Sequence, residues 1–299
     1  MPDQPWPRPD RLTRRLVEVF SEKWPNDPTA SFGSGFLLGD GLVLTARHVL
    51  MPKNWWAQVP ENLVLSARPL ALAKKSPLMP AVVLWPPTVA ELASDDTPDV
   101  ALIRIAEVPG FRTGPFSLGL GEGEELGAVN VFAAGFPNWR AKGNIREVGQ
   151  ITGRIPTLSG ARAGRYEVTA LKMEGGRDLD DKLDWRGMSG AALCYGKHII
   201  GVLVLHEEDG RIDFLAVRLD DLLERPDFAS ALPPVLAGKS ARDLKSAYKD
   251  LSSAEMPPSD GWSLDRGAAT KRPSAKGPEV ASMLQPVHLP SRIASRLGA

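Results

Sequence analysis

The chain carries one cysteine in 299 residues, Cys194, which excludes an internal disulfide and leads us to expect a reducing compartment, the cytoplasm. Cys194 sits in the apolar run AALCYG, a setting for a buried, inert thiol rather than a nucleophile. No run of about 18 consecutive apolar residues is present, so no membrane span is expected. The start, MPDQPWPRPDRLTRRLVEVF, mixes prolines with both charges and lacks the apolar core of a secretory signal. Neither sign of charge dominates: 36 Lys and Arg balance 36 Asp and Glu. Such a balance gives no electrostatic basis for nucleic acid or an anionic membrane as partner. The four histidines, His48, His198, His206 and His288, form none of the close pairs with Cys or Glu that zinc requires. No phosphate-cradling glycine loop or dinucleotide fingerprint appears, so no metal and no cofactor is expected.

What is present is an ordinary globular composition, 43% hydrophobic and 24% charged, on a chain long enough for a large core. From Asp10, the residues Leu12, Leu16, Val19 and Phe20 form one apolar stripe at helical spacing. They predict an amphipathic helix packed on the outside of the main domain, within an N-terminal extension over residues 1–30. From residue 31 short β-rich runs recur, among them SFGSGFLLG, GLVLTA, DVALIRI, AVNVFAAGFP and HIIGVLVLH, punctuated by Gly, Pro and Asp. That texture indicates an all-β sandwich or barrel. A stretch rich in turn formers at 107–127 suggests a twofold division, with barrels at about 31–110 and 125–220 inside a domain of 31–230. Residues 231–299 are rich in Pro, Ser and Ala and poor in large apolar side chains, and a largely disordered tail is expected there.

Three segments carry chemistry: LTARHVL with His48, TPDVALIRI with Asp99 and WRGMSGAAL with Ser189. In chain order they read His, Asp, Ser. A serine hydroxyl is a poor nucleophile at neutral pH unless a base takes its proton as it attacks. Imidazole can do so and then pass the proton to the leaving amine. A carboxylate on the other ring nitrogen fixes the tautomer and stabilises the imidazolium. Glycines around Ser189 let the backbone turn sharply, so that the N–H groups of Gly187 and Ser189 could converge as an oxyanion hole.

These blocks resemble the chymotrypsin/trypsin-like serine protease superfamily. TARHV is similar to its T-A-x-H block, DVALIRI to its D-[IV]-A-L block and GMSGAAL to its G-x-S-G-G block, and the likeness covers roughly residues 31 to 220. It implies two six-stranded antiparallel β-barrels with the site in the cleft between them, here with the N-terminal helix and flexible tail added. Met188 stands where secreted trypsins carry the Asp that pairs with a newly cut amino terminus, so activation by that ion pair is unavailable. The sequence is closer to the bacterial HtrA-like and glutamyl-endopeptidase-like branches, without a PDZ domain. Ala191 replaces the second glycine of the nucleophile block. By family alignment Leu183 sits at the base of the S1 pocket, and Val204, Leu205 and His206 line its wall. Leu183 favours an apolar P1 side chain, His206 an acidic one, and Asp180, Asp181 and Asp184 a basic one.

The resemblance implies an intracellular serine endopeptidase that cleaves a protein or peptide partner through an acyl-enzyme on Ser189. Chains of this appearance resemble effector modules of bacterial signalling and defence systems, with activity held until a partner or ligand orders the loops around residues 140 to 187. The alternative is a catalytically silent trypsin-like scaffold that binds a peptide or protein. Inactive relatives usually lose one of the three blocks, and none is lost here. Hydrolysis of small esters or amides is a third reading.

Overall fold

The computed structural model describes residues 12–236 apart from 26, 28, 61, 73–77, 107, 109–116, 120–127, 143–144, 157–159, 174–184, 209–210 and 234–235. Among the described residues there are fifteen strands, and twelve of them make two barrels. The first is built from β1 (Leu16–Glu22), β2 (Ser31–Gly39), β3 (Leu42–Thr45), β4 (Val64–Pro69), β5 (Met79–Trp85) and β6 (Ala101–Arg104). It closes in the order β1-β2-β3-β6-β5-β4, with every pair antiparallel. A two-residue Asp40-Gly41 turn joins β2 to β3, the Asp-Gly pair that tight hairpins favour.

The second half adds β7 (Ser117–Leu118), β8 (Ala128–Gly135), a small hairpin of β9 (Ala141–Lys142) and β10 (Ile145–Arg146), then β11 (Gly149–Pro156), β12 (Arg165–Met173), β13 (Ala192–Tyr195), β14 (His198–Glu208) and β15 (Arg211–Arg218). Six of these run in the order β13-β8-β11-β12-β15-β14, and the β13–β14 pairing closes them into a second antiparallel barrel. β7 lies outside it, parallel to β14. Closure removes the free edges that a sheet of this size would otherwise expose. Among the described residues no helix is long and apolar enough to cross a membrane.

One expectation is corrected. The stripe Leu12, Leu16, Val19, Phe20 does not make an outer helix. Only a turn at residues 12–13 is helical, and Leu16–Glu22 is the first strand of barrel one, paired with β2 and β4. The physical reason is burial on both faces. Leu16, Val17 and Val19 are buried, and so are the polar Glu18 and Ser21 between and beside them. A strand covered on both sides loses its alternation, and a short apolar run then fits either period. Glu18 is tolerated there because the Arg68 guanidinium meets its carboxylate at 2.6 and 2.8 Å. Arg15, at the entry to the strand, is buried and spends one guanidinium nitrogen on the carbonyls of Leu37 and Leu38.

Two short helices, α3 (Leu219–Leu223) and α4 (Pro226–Ala231), follow the last strand; α1 and α2 are the earlier turns Arg47–Leu50 and Val89–Leu92. α4 docks on barrel one. Phe228 is fully buried, its ring edge-on to Trp85 at 5.0 Å, and the Trp85 indole N–H donates to the Asp227 carboxylate at 3.0 Å. Phe228→Ala would leave a ring-sized void at this joint. We expect a loss of about 3–5 kcal/mol in urea unfolding, the usual range for a buried aromatic truncated to alanine. Of the expected tail over residues 231–299, only 231–233 and 236 are described: Ala231 ends α4 and Leu232 is buried, while residues 237–299 lie outside the described residues.

Candidate active site

β3 and β6 are antiparallel neighbours, with Thr45 opposite Ala101. The end of β3 and the start of β6 therefore lie at the same rim of barrel one. Past that rim β3 runs through Ala46 into α1, which carries His48, and Asp99 stands two residues before β6. This is how two residues 51 apart in sequence come together. Asp99 grips His48 at two points. Its Oδ1 accepts the His48 backbone N–H at 2.9 Å, and its Oδ2 lies 2.7 Å from the ring Nδ1. A carboxylate can only accept, so the proton of the neutral ring belongs on Nδ1 and the lone pair on Nε2.

Burial, the largest single influence, pushes the Asp99 carboxyl up. The His48 ring charge, the two His48 hydrogen bonds and the Arg47 guanidinium together outweigh it and hold Asp99 below the ordinary carboxylate value. Arg47 is itself buried, donates to the Leu92 carbonyl and lies 5.1 Å over the Trp56 ring. Burial, before anything else, lowers its pKa.

Ser189 directly follows Met188, the residue shared by two consecutive turns. Met188 N–H donates to the Trp185 carbonyl at 3.0 Å, closing the first turn around Arg186 and Gly187. Ala191 N–H donates to the Met188 carbonyl at 3.0 Å, closing the second around Ser189 and Gly190. Gly187 has φ +96° and Gly190 φ +90°, each at the third position of its turn, where a type II turn requires positive φ. The first turn is anchored by Trp185, which is buried and packs edge-on between Trp139 at 5.6 Å and Phe214 at 5.5 Å. Met188, in the position of the trypsin ion-pair aspartate, is fully buried in the core of barrel two.

The turn meets the rim that bears His48. A Cβ placed on Gly33 would fall 2.4 Å from Val49 Cγ2 and 2.8 Å from the Ser189 carbonyl oxygen, so α1 and the Ser189 turn meet at the same point of β2. A Cβ on Gly190 would fall 2.5 Å from Thr45 Oγ1 and 3.0 Å from Ala46 N. His48, Asp99 and Ser189 thus gather at one junction of the two barrels.

Of the residues expected around S1, Leu183 lies outside the described residues, as do Asp180, Asp181 and Asp184. Val204 is buried, 6% exposed, in the core. Leu205 and His206 lie on β14, their backbones opposite Phe214 and Asp213, and their side chains are outside what is described. Sequence reasoning missed Ser34, whose bonds reach both the Ser189 turn and Thr45. Its one outward sign was a serine between two glycines in GSGF.

Cys194 is buried in β13, and burial, partly opposed by the Arg15 charge, pushes its thiol up to about 12. We expect no reaction with iodoacetamide in the folded protein and stoichiometric alkylation after denaturation, read by intact mass.

The chain matches the family model described as trypsin-like peptidase domain over residues 33–202. No curated protein matches it. Among solved structures, it is similar to the active form of the Rv3671c protease from M. tuberculosis at 18% identity, covering 72% of this chain and 81% of that one with a TM-score of 0.44. It is similar to Deg5 at 17% identity, over 72% and 88% of the two chains with a TM-score of 0.45. A third is the scabies mite inactivated protease paralogue S-I1, at 13% identity over 81% and 96% with a TM-score of 0.43.

Proposed function

The chain belongs to the trypsin-like peptidase domain family, and from that premise we propose that it is an intracellular serine endopeptidase in which Ser189 is the nucleophile, His48 the general base and Asp99 the residue that orients it. Its substrates are proteins or peptides. In the proposed reaction Ser189 Oγ attacks the scissile carbonyl carbon while His48 Nε2 takes the hydroxyl proton. The imidazolium so formed carries its charge beside Asp99, which stays ionised. The carbonyl oxygen becomes an oxyanion facing the N–H groups of Gly187 and Ser189. Collapse breaks the C–N bond, Nε2 returns the proton to the leaving amine, and an ester on Ser189 remains. Water then repeats the cycle and releases the acid.

The observation that carries this reading is the two-point grip of Asp99 on His48 at 2.7 and 2.9 Å, which leaves Nε2 with the lone pair. A lone buried histidine has no use for a carboxylate on its ring and its backbone at once. The single buried cysteine supports a reducing, cytoplasmic setting. We extend the proposal to a bacterial effector controlled by a partner or ligand that acts on the loops around residues 140 to 187; this rests on the family resemblance. The test is fluorophosphonate labelling of the purified chain beside Ser189→Ala, with intact-mass readout. One adduct on Ser189, absent from the variant, supports the proposal. An unlabelled chain, alone and with lysate from its host, overturns it and leaves the binding scaffold.

A further inference from the structure

We propose that Ser34 is a positioning residue for the oxyanion turn, tying it to the strand that leads into the helix bearing the base; this rests on the reading of Gly187 and Ser189 as oxyanion donors. Ser34 lies on β2, fully buried, and every polar atom it owns is committed. Its N–H donates to the Ser189 carbonyl at 2.8 Å. Its hydroxyl donates to the Gly187 carbonyl at 2.6 Å and accepts the Phe136 N–H at 2.9 Å. Its own carbonyl accepts the Thr45 hydroxyl at 2.7 Å, three residues before His48.

These bonds act on the two peptide planes that bracket the Ser189 N–H. The Gly187 carbonyl belongs to the Gly187–Met188 peptide and the Ser189 carbonyl to the Ser189–Gly190 peptide. With both oxygens pinned to one residue, the Met188–Ser189 peptide between them cannot rotate freely, and the direction of the Ser189 N–H is set. Gly187 is held on the same side, since a Cβ placed there would fall 2.8 Å from the Phe32 ring and closer still to the Phe136 carbonyl. The hydroxyl has little room to choose another partner. A Cβ on Gly135 would collide with Ser34 Oγ, and one on Gly190 with the Ser34 carbonyl. A donor aimed in advance at a developing charge costs no reorganisation during reaction, which is where such a fixed turn contributes to rate.

Ser34→Ala removes the bond to Gly187 and leaves two buried polar groups, the Gly187 carbonyl and the Phe136 N–H, without that partner. The experiment compares wild type, Ser34→Ala and Thr45→Val in the second-order rate of fluorophosphonate labelling. Alongside it, NMR follows the Gly187 and Ser189 amide signals and the low-field Nδ1 proton of His48. We expect Ser34→Ala to label about 10- to 100-fold more slowly, below the 10²–10³ of losing an oxyanion donor outright. The two amide signals should shift while the His48 proton signal persists, a pattern that general unfolding would not give. Labelling of Ser34→Ala at the wild-type rate, or unmoved amide signals, overturns the proposal and leaves the protease reading intact. Should Ser34→Ala fail to fold, Thr45→Val, which removes only the donor to the Ser34 carbonyl, is expected to label several-fold more slowly; an unchanged rate overturns the proposal. A wild type that does not label at all counts against the protease reading, and the amide shifts alone then decide for or against the positioning role.

Discussion

Ser189→Ala is expected to lower peptide-bond hydrolysis by about 10⁶-fold, the loss that follows when the nucleophile of a serine–histidine unit is removed. It should do so with almost no change in the urea midpoint. The side chain shrinks by a single oxygen, the turn around it is closed by backbone bonds, and the glycine that needs positive φ is the next residue, not this one. Rate and stability therefore separate cleanly in this variant. A residual activity of about 10³–10⁴ over water is the contribution of binding and the oxyanion donors alone. If Ser189→Ala cleaved a peptide as fast as the wild type, Ser189 would not be the nucleophile. The turn geometry would then have to be explained as a structural corner.

The three candidate blocks could be picked out because they are local. His48, Asp99 and Ser189 each stand in a short motif whose neighbours do one job: a strand end, a strand start, a turn with glycines. The two barrels were legible because short strands with frequent turn formers leave few other architectures. β1 was not. Its sequence, LVEVFSE, contains a buried carboxylate whose partner Arg68 is 50 residues away, so nothing within a helix-length window reveals why Glu18 is inside. Only closure of the barrel supplies the partner, and without it the apolar residues read as a helical stripe. Ser34 was illegible for a related reason. Its four bonds run to residues 11, 102, 153 and 155 positions away, and in the sequence it is a small residue in a strand. Met188 shows the opposite case. Its apolar character was visible in the sequence as a departure from the trypsin block, and the structure buries it in the core of barrel two.

Asp99→Asn is expected to lower kcat by about 10⁴-fold, for a reason that follows from the two-point grip. Asp99 Oδ1 accepts the His48 backbone N–H and Oδ2 faces Nδ1. An amide has one oxygen and one NH₂. Placing the NH₂ against the backbone N–H would set two donors face to face, so the oxygen stays there and the NH₂ turns to the ring. Nδ1 must then accept, the ring proton moves to Nε2, and the nitrogen that should take the Ser189 proton already holds one. Geometry is retained and the tautomer is wrong. Stability should change as well, with a sign that pH reveals. Folding lowers the Asp99 pKa from its ordinary 3.8, so its stabilising contribution is complete above that ordinary value and is lost as pH falls through the lower folded one. Urea unfolding should therefore find Asp99→Asn less stable than wild type at neutral pH, and the gap should close as the solution is taken below about pH 4. A gap that stayed constant across that range would mean that the ionised carboxylate is not what holds His48. A variant that kept its rate would mean that the tautomer is set by some other group.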